Sequence, residues 1–207
     1  LGNAPVDPQA ADQLYRAALP GLQRLAADNV PQAMHELGTM YLYGRGTEKD
    51  YARALDLLQR AVRNDYAPAM VDLAGMYMNG HGIAVNPEKA QQLLLRAAQA
   101  GLPDAQAGLA DIYYSNRKYE AALNWYRTAV TKGSPAAMTA LAGMYRSGIG
   151  VEKNIDLAEG YLNQAAQMSY PQAMVDLGDL YLDESLRYRN PEMAVKMYRG
   201  ALSKDYP

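Results

Sequence analysis

The sequence predicts an all-α fold, a curved solenoid built from antiparallel helix-turn-helix repeats. Two observations support this prediction. A short apolar pattern recurs five times at nearly constant spacing, and each copy contains the patterns of two amphipathic helices. Because one hairpin cannot bury the apolar faces of both its helices, stacked copies share a continuous core, and small rotations between copies produce a curved array.

The composition is that of a folded chain with little net charge. Its 207 residues are 49% hydrophobic, with 20 basic residues, 22 acidic residues and no cysteine. The near-neutral balance gives no electrostatic reason to bind nucleic acid, and no apolar run approaches the roughly 18 to 20 residues of a membrane span. Without cysteine there is no disulfide, thiolate metal site or cysteine nucleophile.

The repeated pattern starts at a proline or next to one and contains an alanine, a leucine, a small residue and a tyrosine. In the first copy these are Ala33, Leu37, Gly38 and Tyr41, which share one face of a helix. We expect five repeats, at residues 31–66, 67–102, 103–134, 135–170 and 171–206. Pro207 stands where a sixth copy would begin, so the array is expected to be truncated there.

A second helix follows in each repeat, with apolar residues spaced as in Ala54, Leu58 and Ala61. Three repeats place a Gly-x-Gly loop between the helices, at 44–46, 80–82 and 148–150, where glycine permits a tight reversal. The third repeat uses 114–119 instead, and the fifth has an irregular insert at 183–190. Ser134 is an expected N-cap, and glycines 101 and 133 are expected to end second helices.

Residues 1–30 are expected to form a degenerate helical unit. An apolar stripe at residues 14, 18, 22 and 25 indicates a helix, and Pro20 is expected to break or kink it.

The pattern resembles the Sel-one-like repeat family, a branch of the tetratricopeptide superfamily with a longer loop in each hairpin. The residues that carry the resemblance are the A-x-x-x-L-[GA]-x-[ML]-Y stretch, the Gly-x-Gly loop and the later A-x-x-x-L-x-x-A stretch, over residues 31–206. Without the extra loop residues, the third copy is similar to an ordinary tetratricopeptide unit. The resemblance implies that the solenoid is a right-handed superhelix. The resemblance implies a protein-interaction scaffold or adaptor, in bacteria frequently in the periplasm or at the outer membrane, for example in assembly of exopolysaccharide-export machinery.

The resemblance also implies where a partner protein would bind. In tetratricopeptide arrays the concave surface is lined by the second, fifth, ninth, twelfth and thirteenth positions of the first helix of each repeat. The candidate partner-binding residues here are His35, Thr39, Leu42, Tyr43, Val71, Met78, Asn79, Asp111, Tyr114, Ser115, Thr139, Arg146, Asp179 and Leu182. The insert at 183–190 and the Gly-x-Gly loops form a second candidate surface.

Catalysis is not expected, because convergent catalytic groups are not apparent. The only histidines are His35 and His81, and no metal or other cofactor is predicted. The periodic carboxylates Asp72, Asp111, Asp176 and Asp179 are expected on a solvated helix face, and the periodic methionines and tyrosines in or beside the core. Two alternatives stay open: an enzyme or ligand-binding protein with a cleft on the concave face, and a structural protein that self-associates through exposed array ends.

Overall fold

The computed structural model describes residues 8–183 and 189–203, and across these residues the regular structure is entirely α-helical. The predicted all-α class, with consecutive helices paired as hairpins, is confirmed. The helices are α1 (Pro8–Ala27), α2 (Pro31–Tyr43), α3 (Tyr51–Arg63), α4 (Ala67–Asn79), α5 (Pro87–Gln99), α6 (Pro103–Ser115), α7 (Tyr119–Thr131), α8 (Pro135–Ser147), α9 (Ile155–Gln167), α10 (Pro171–Leu182) and α11 (Pro191–Leu202). Most of the predicted insert at 183–190 lies outside the described residues.

The chain divides into two compact units, residues 1–105 and 106–207. In the first unit, α2 pairs with α3 and α4 with α5, while α1 packs on α2, α3 packs on α4, and α2 also touches α4. The core between these helices is closed by methionine and leucine, with Met34, Met40, Leu58 and Met76 almost completely buried. Methionine suits this place because its unbranched chain adapts to gaps between helices.

The second unit contains most of α6 and the helices α7 to α11. Here α8 pairs with α9 and α10 with α11, α7 packs on α8, α9 packs on α10, and α8 also touches α10. Ala110, Tyr126 and Leu141 lie in one buried cluster, and Leu162 and Leu177 lie in another. Alanine and glycine at the crossing points let the helices approach closely.

Local signals determine where the helices begin and end. The first helix of most repeats starts at a proline, whose missing N–H group is not needed in a first turn. The predicted cap is confirmed: the Ser134 side chain accepts a hydrogen bond from the Ala137 N–H at 3.3 Å. Four of the five second helices use the same device: the side chains of Asp50, Asn86, Asn154 and Asn190 accept backbone hydrogen bonds at their starts, whereas α7 begins without a side-chain cap.

The Gly-x-Gly loops reverse the chain as predicted, since both glycines of each loop have positive φ. The second glycine has an additional role, because it packs against the start of the preceding second helix. A Cβ atom on Gly82 would lie 2.5 Å from the Tyr51 Cβ, and one on Gly150 would lie 2.5 Å from the Tyr119 Cβ. The loop therefore joins neighbouring repeats as well as the two helices of one repeat.

Residues 8–27 form a helix, as the apolar stripe indicated, but the break expected at Pro20 is absent. Helix α1 continues through Pro20, which lies on its exposed side. The apolar stripe is largely exposed: Leu14 is 72% and Leu25 is 46% exposed, and within the described part of α1 only Ala26 is buried. The physical reason is that α1 packs against α2 on one side, so few of its apolar side chains meet another helix.

Candidate functional site

We call the first helices of the repeats, α2, α4, α6, α8 and α10, the A helices, and α3, α5, α7, α9 and α11 the B helices. The A face is defined separately in each unit as the solvent-accessible side chains at the predicted binding positions. In the first unit it comprises His35, Tyr43, Val71, Met78 and Asn79, and in the second Asp111, Tyr114, Ser115, Thr139, Arg146, Asp179 and Leu182.

The A face of the first unit has two exposed apolar side chains on neighbouring A helices. Tyr43 at the end of α2 is 48% exposed, and Met78 at the end of α4 is 44% exposed. Two candidates do not belong to this face. Leu42 is only 4% exposed and packs in the core, and Thr39 is buried with its hydroxyl donating to the Glu36 carbonyl at 2.8 Å.

His35 and Asp72 join the two A helices of the first unit. The His35 Nε2 lies 2.7 Å from the Asp72 Oδ2, and the Tyr43 hydroxyl donates to the Asp72 Oδ1 at 3.5 Å. The His35 ring also lies 5.4 Å from the Tyr66 ring, centre to centre. We expected Asp72 on a solvated helix face. It is instead partly buried and contacts both His35 and Tyr43.

The surroundings of Tyr43 favour its neutral phenol. Partial burial and the negative charge of Asp72 raise the pKa of Tyr43, although the Arg45 guanidinium acts in the opposite direction. Arg45 lies 5.0 Å from the centre of the Tyr43 ring, a distance at which a cation and an aromatic face attract each other. Tyr43 thus presents an apolar ring to solvent while its hydroxyl contacts Asp72.

In the second unit, two carboxylates of the A face accept hydrogen bonds from tyrosines of the B helices. The Tyr126 hydroxyl donates to the Asp111 Oδ1 at 2.5 Å, and the Tyr198 hydroxyl donates to the Asp179 Oδ1 at 2.6 Å. Burial, followed by the bond to Asp111, raises the pKa of Tyr126 far above its ordinary value. The bond to Asp179, followed by burial, raises the pKa of Tyr198 to about 12. These carboxylates are therefore held in one orientation while remaining exposed.

The other predicted residues of the second unit differ in accessibility. Leu182 is 41% exposed, and Arg146 and Ser115 are also exposed. Thr139 is partly buried and its hydroxyl donates to the Pro135 carbonyl at 2.9 Å. Tyr114 is partly buried against Tyr119, with ring centres 5.4 Å apart in an edge-on contact.

Sequence reasoning treated Tyr126 and Tyr198 only as members of the core stripe and missed their bonds to aspartate. The signal was present in the sequence. The repeats with tyrosine at this B-helix position have aspartate at the ninth A-helix position, whereas repeats with leucine have threonine or glycine there: Asp111 with Tyr126, Asp179 with Tyr198, Thr39 with Leu58, Gly75 with Leu94, and Gly143 with Leu162. The buried Tyr126 phenol needs an acceptor and leucine does not, and the partly exposed Tyr198 is paired with aspartate in the same way.

Outside the A face the structure has open surface depressions. Those beside Tyr41, Tyr145 and Tyr181 have volumes of 430, 420 and 420 Å³ respectively. Within residues 8–183 and 189–203, no group of three histidine, aspartate or glutamate side chains is placed to hold a metal ion. No helix in that part of the chain is both long and apolar enough to cross a bilayer. The candidate binding site is therefore the A face, an exposed helix face with apolar and carboxylate side chains.

The paired helices and the repeated register define a protein of helical-hairpin repeats. A family model described as the Sel1 repeat matches residues 31–66, 67–102, 103–134, 135–170 and 171–206. The chain belongs to the Sel1 repeat family, which confirms the resemblance seen in the sequence. Sel1 repeat proteins generally mediate protein–protein interactions.

Solved structures show the same fold. A Sel1 repeat protein from Oxalobacter formigenes aligns with a TM-score of 0.81 and 26% identity, over 97% of this chain and 85% of its own. A protective antigen of uropathogenic Escherichia coli aligns with a TM-score of 0.73 and 28% identity over 89% of this chain, which spans only 40% of that antigen. An immunity protein from Pseudomonas aeruginosa, with a TM-score of 0.66 and 24% identity over 97% of this chain and 84% of its own, shares the fold. Comparison with curated proteins finds no match to the chain.

Proposed function

We propose that this protein is a non-catalytic scaffold that binds a protein partner through the A face. The observation that carries the proposal is the exposure of Tyr43 and Met78 on adjacent A helices. Large aromatic and thioether side chains are over-represented at the centres of protein interfaces, where their burial supplies much of the binding energy. Neither side chain is needed to close the core, so the fold does not explain their place on the surface.

The chemistry of the first unit supports binding through a polar and apolar surface. Asp72 is oriented by His35 and Tyr43, which places an oriented carboxylate beside the exposed Tyr43 ring. Such a surface offers a partner both area to bury and a specific polar contact. No nucleophile or metal enters this proposal.

Site-specific crosslinking tests the proposed function. A photoreactive amino acid replaces Tyr43 or Met78 in the full chain, and it replaces Val85 or Leu157 in matched controls. Val85 is 60% and Leu157 is 45% exposed, and both lie outside the A face. In native extract, we expect a discrete crosslinked protein from positions 43 and 78 and none from the controls. Equal labelling from all four positions, or no product from positions 43 and 78, would contradict the proposal.

We propose the bacterial cell envelope as the setting, with a role in assembly of a complex such as exopolysaccharide-export machinery. The family resemblance supports this setting, and the compared structures come from bacteria. Fractionation of cells that express the native gene product tests it, with the protein expected in the periplasmic or outer-membrane fraction. Recovery in the cytoplasmic fraction would contradict the setting and leave scaffold function standing.

A further inference from the structure

Charge is distributed unevenly between the two kinds of helix, which the net charge of −2 conceals. The A helices contain no lysine and one arginine, Arg146, against six carboxylates: Glu36, Asp72, Asp104, Asp111, Asp176 and Asp179. The B helices contain eight basic and six acidic residues: Arg53, Arg60, Arg63, Lys89, Arg96, Arg127, Lys196 and Arg199 against Asp56, Glu88, Glu120, Asp156, Glu159 and Glu192. The A helices are therefore anionic although the chain is nearly neutral.

In the second unit these carboxylates alternate with apolar side chains on the same helix faces. On α10, Asp176 and Asp179 lie beside Val175 and Leu182, on the side away from the buried Leu177. The third repeat has the same arrangement on α6, where Asp111 lies one helical turn before Tyr114, as Asp179 lies one turn before Leu182 on α10. The unit thus presents an apolar helix face bordered by carboxylates.

Asp111 and Asp179 of the A face, and Asp176 one turn before Asp179 on α10, have hydrogen-bond partners but no cationic partner among the described residues. Asp111 and Asp179 accept from tyrosine hydroxyls, and Asp176 accepts from the Gln172 amide at 2.6 Å. In the part of the chain that the structure describes, none of the three forms an ion pair with lysine or arginine. Neutral donors orient the carboxylates without compensating their charge, so a cation that approaches the face meets positioned acceptors, of which Asp111 and Asp179 are exposed and Asp176 is partly buried.

We propose that the A face of the second unit binds a cationic segment of a partner protein, in which lysine or arginine side chains alternate with apolar ones. The proposal rests on the proposed scaffold function and specifies its partner by charge complementarity. The aliphatic stems of lysine and arginine pack on Leu182 and Tyr114 while their charged groups reach Asp111, Asp176 and Asp179. Arg146 is the exception in this face, and it opposes a cationic occupant.

Three labelled peptides of about 12 residues, which span roughly 40 Å when extended, are the probes. Each has leucine at alternate positions and either lysine, glutamine or glutamate at the others, and binding to the full chain is measured by fluorescence anisotropy. The lysine peptide is expected to bind about tenfold more tightly than the glutamine peptide, and the glutamate peptide most weakly. Added salt is expected to reduce the preference.

Variants locate the effect. Asp111→Asn, Asp176→Asn and Asp179→Asn combined remove three charges but keep an oxygen acceptor for each neutral donor, and should weaken lysine-peptide binding about tenfold. The matched control combines Glu120→Gln, Asp156→Asn and Glu192→Gln, three exposed B-helix changes of the same total charge, and should alter binding less than about twofold. Circular dichroism verifies that both variants keep the parent helicity.

Changes of the opposite sign provide a second test. Arg146→Gln should tighten lysine-peptide binding about twofold or more, whereas Lys196→Gln, at an exposed position of α11, should not. Equal losses from the A-face and B-face triple variants would overturn the proposal. So would a lysine peptide that binds no better than the glutamine peptide, or that fails to bind at about 1 mM. Crosslinking at positions 43 and 78 could still succeed in these cases, so failure here is distinguishable from failure of the scaffold function.

Discussion

Among individual residues, the paired choice of tyrosine and aspartate distinguishes two repeats from the rest. Tyr126 is 3% exposed, so its hydroxyl would lose solvation without gaining a partner if Asp111 were absent. Asp111 accepts a hydrogen bond from this hydroxyl, which offsets the cost of its lost solvation, and the Asp111 side chain stays exposed. The same carboxylate therefore stabilises the hairpin and contributes negative charge to the A face. A residue predicted for binding alone thus has a structural role as well.

Tyr198 gives this pairing a measurable pH dependence. The bond to Asp179 raises the pKa of Tyr198 to about 12, against about 10 in the unfolded chain. The folded state therefore holds this proton more tightly, and its stabilising effect is complete below pH about 10 and lost as the pH rises toward about 12. We expect Tyr198→Phe to reduce the fall in unfolding free energy between those pH values, as measured by urea titrations.

Asp179→Ala provides the control for this prediction. It removes the acceptor, so the pKa of Tyr198 should move down toward its ordinary value, and ultraviolet titration of the tyrosinates should show one group ionising earlier. A wild-type slope between pH about 10 and about 12 that matches the slope of Tyr198→Phe would contradict the assignment.

The contact between His35 and Asp72 shows what sequence reasoning could not reach for single residues. Position and residue type identified His35 as a candidate on an A helix, and that placement is correct. Its partner is 37 residues away, one repeat and one position further on, and that pairing depends on how α2 and α4 pack. Helical periodicity assigns a residue to one face of its helix. It does not determine which residues of the neighbouring helix that residue will contact.

Among the elements, helix boundaries were the most predictable features, because proline, glycine and capping side chains act on their immediate neighbours. Helix α1 was predicted less well, although a signal was available. Tyr15, Ala18, Leu22 and Arg24 recur 36 residues later in α3. A Cβ on Gly46 would lie 2.6 Å from the Tyr15 Cβ, the same relation that Gly82 has to Tyr51. The second half of α1 therefore occupies the place of a B helix.

Because of the loop contact, Gly82 is a position in its hairpin that does not tolerate a side chain. Gly82 has φ of 70°, and an added Cβ would lie 2.5 Å from the Tyr51 Cβ. Gly82→Ala should lower the unfolding free energy by about 2 kcal/mol or more, because backbone strain and a steric overlap act together. Thermal and urea unfolding followed by circular dichroism measure the loss.

Gly75 provides a matched control two turns earlier in the same hairpin. It lies inside α4, and an added Cβ would have no neighbour within 4 Å. Gly75→Ala should therefore raise the unfolding free energy by about 0.5 to 1 kcal/mol, because alanine loses less backbone entropy in a helix. If both substitutions shift stability in the same direction, the role assigned to Gly82 is wrong.

For the molecule as a whole, the repeat pattern predicted that neighbouring hairpins share a core. In the first unit this is visible in α4, which touches α2, α3 and α5. The fold class could be predicted from the sequence because each of the five copies of the apolar pattern independently indicates the same helical hairpin. The binding surface followed less completely, since accessibility depends on packing, and Leu42 is buried at a position where Leu182 is exposed.

Shared cores have a consequence for stability, and Leu73 in α4 tests it. Leu73 is 4% exposed, so Leu73→Asp places a carboxylate in a site built for an apolar side chain and should cost more than about 4 kcal/mol. Since α4 contacts three other helices, the loss should spread to them and not remain local. Hydrogen exchange should show reduced protection from α2 through α5 in the variant.

Met78→Asp separates this effect from the simple addition of charge. It adds the same carboxylate to the same helix at a side chain that is 44% exposed, so it should change the unfolding free energy by less than about 1 kcal/mol. If helices α2 to α5 share one core, only the Leu73 variant lowers protection in all four. Loss of protection confined to α4 would mean that each helix is stabilised separately, and the stacked-hairpin account of this unit would then be wrong.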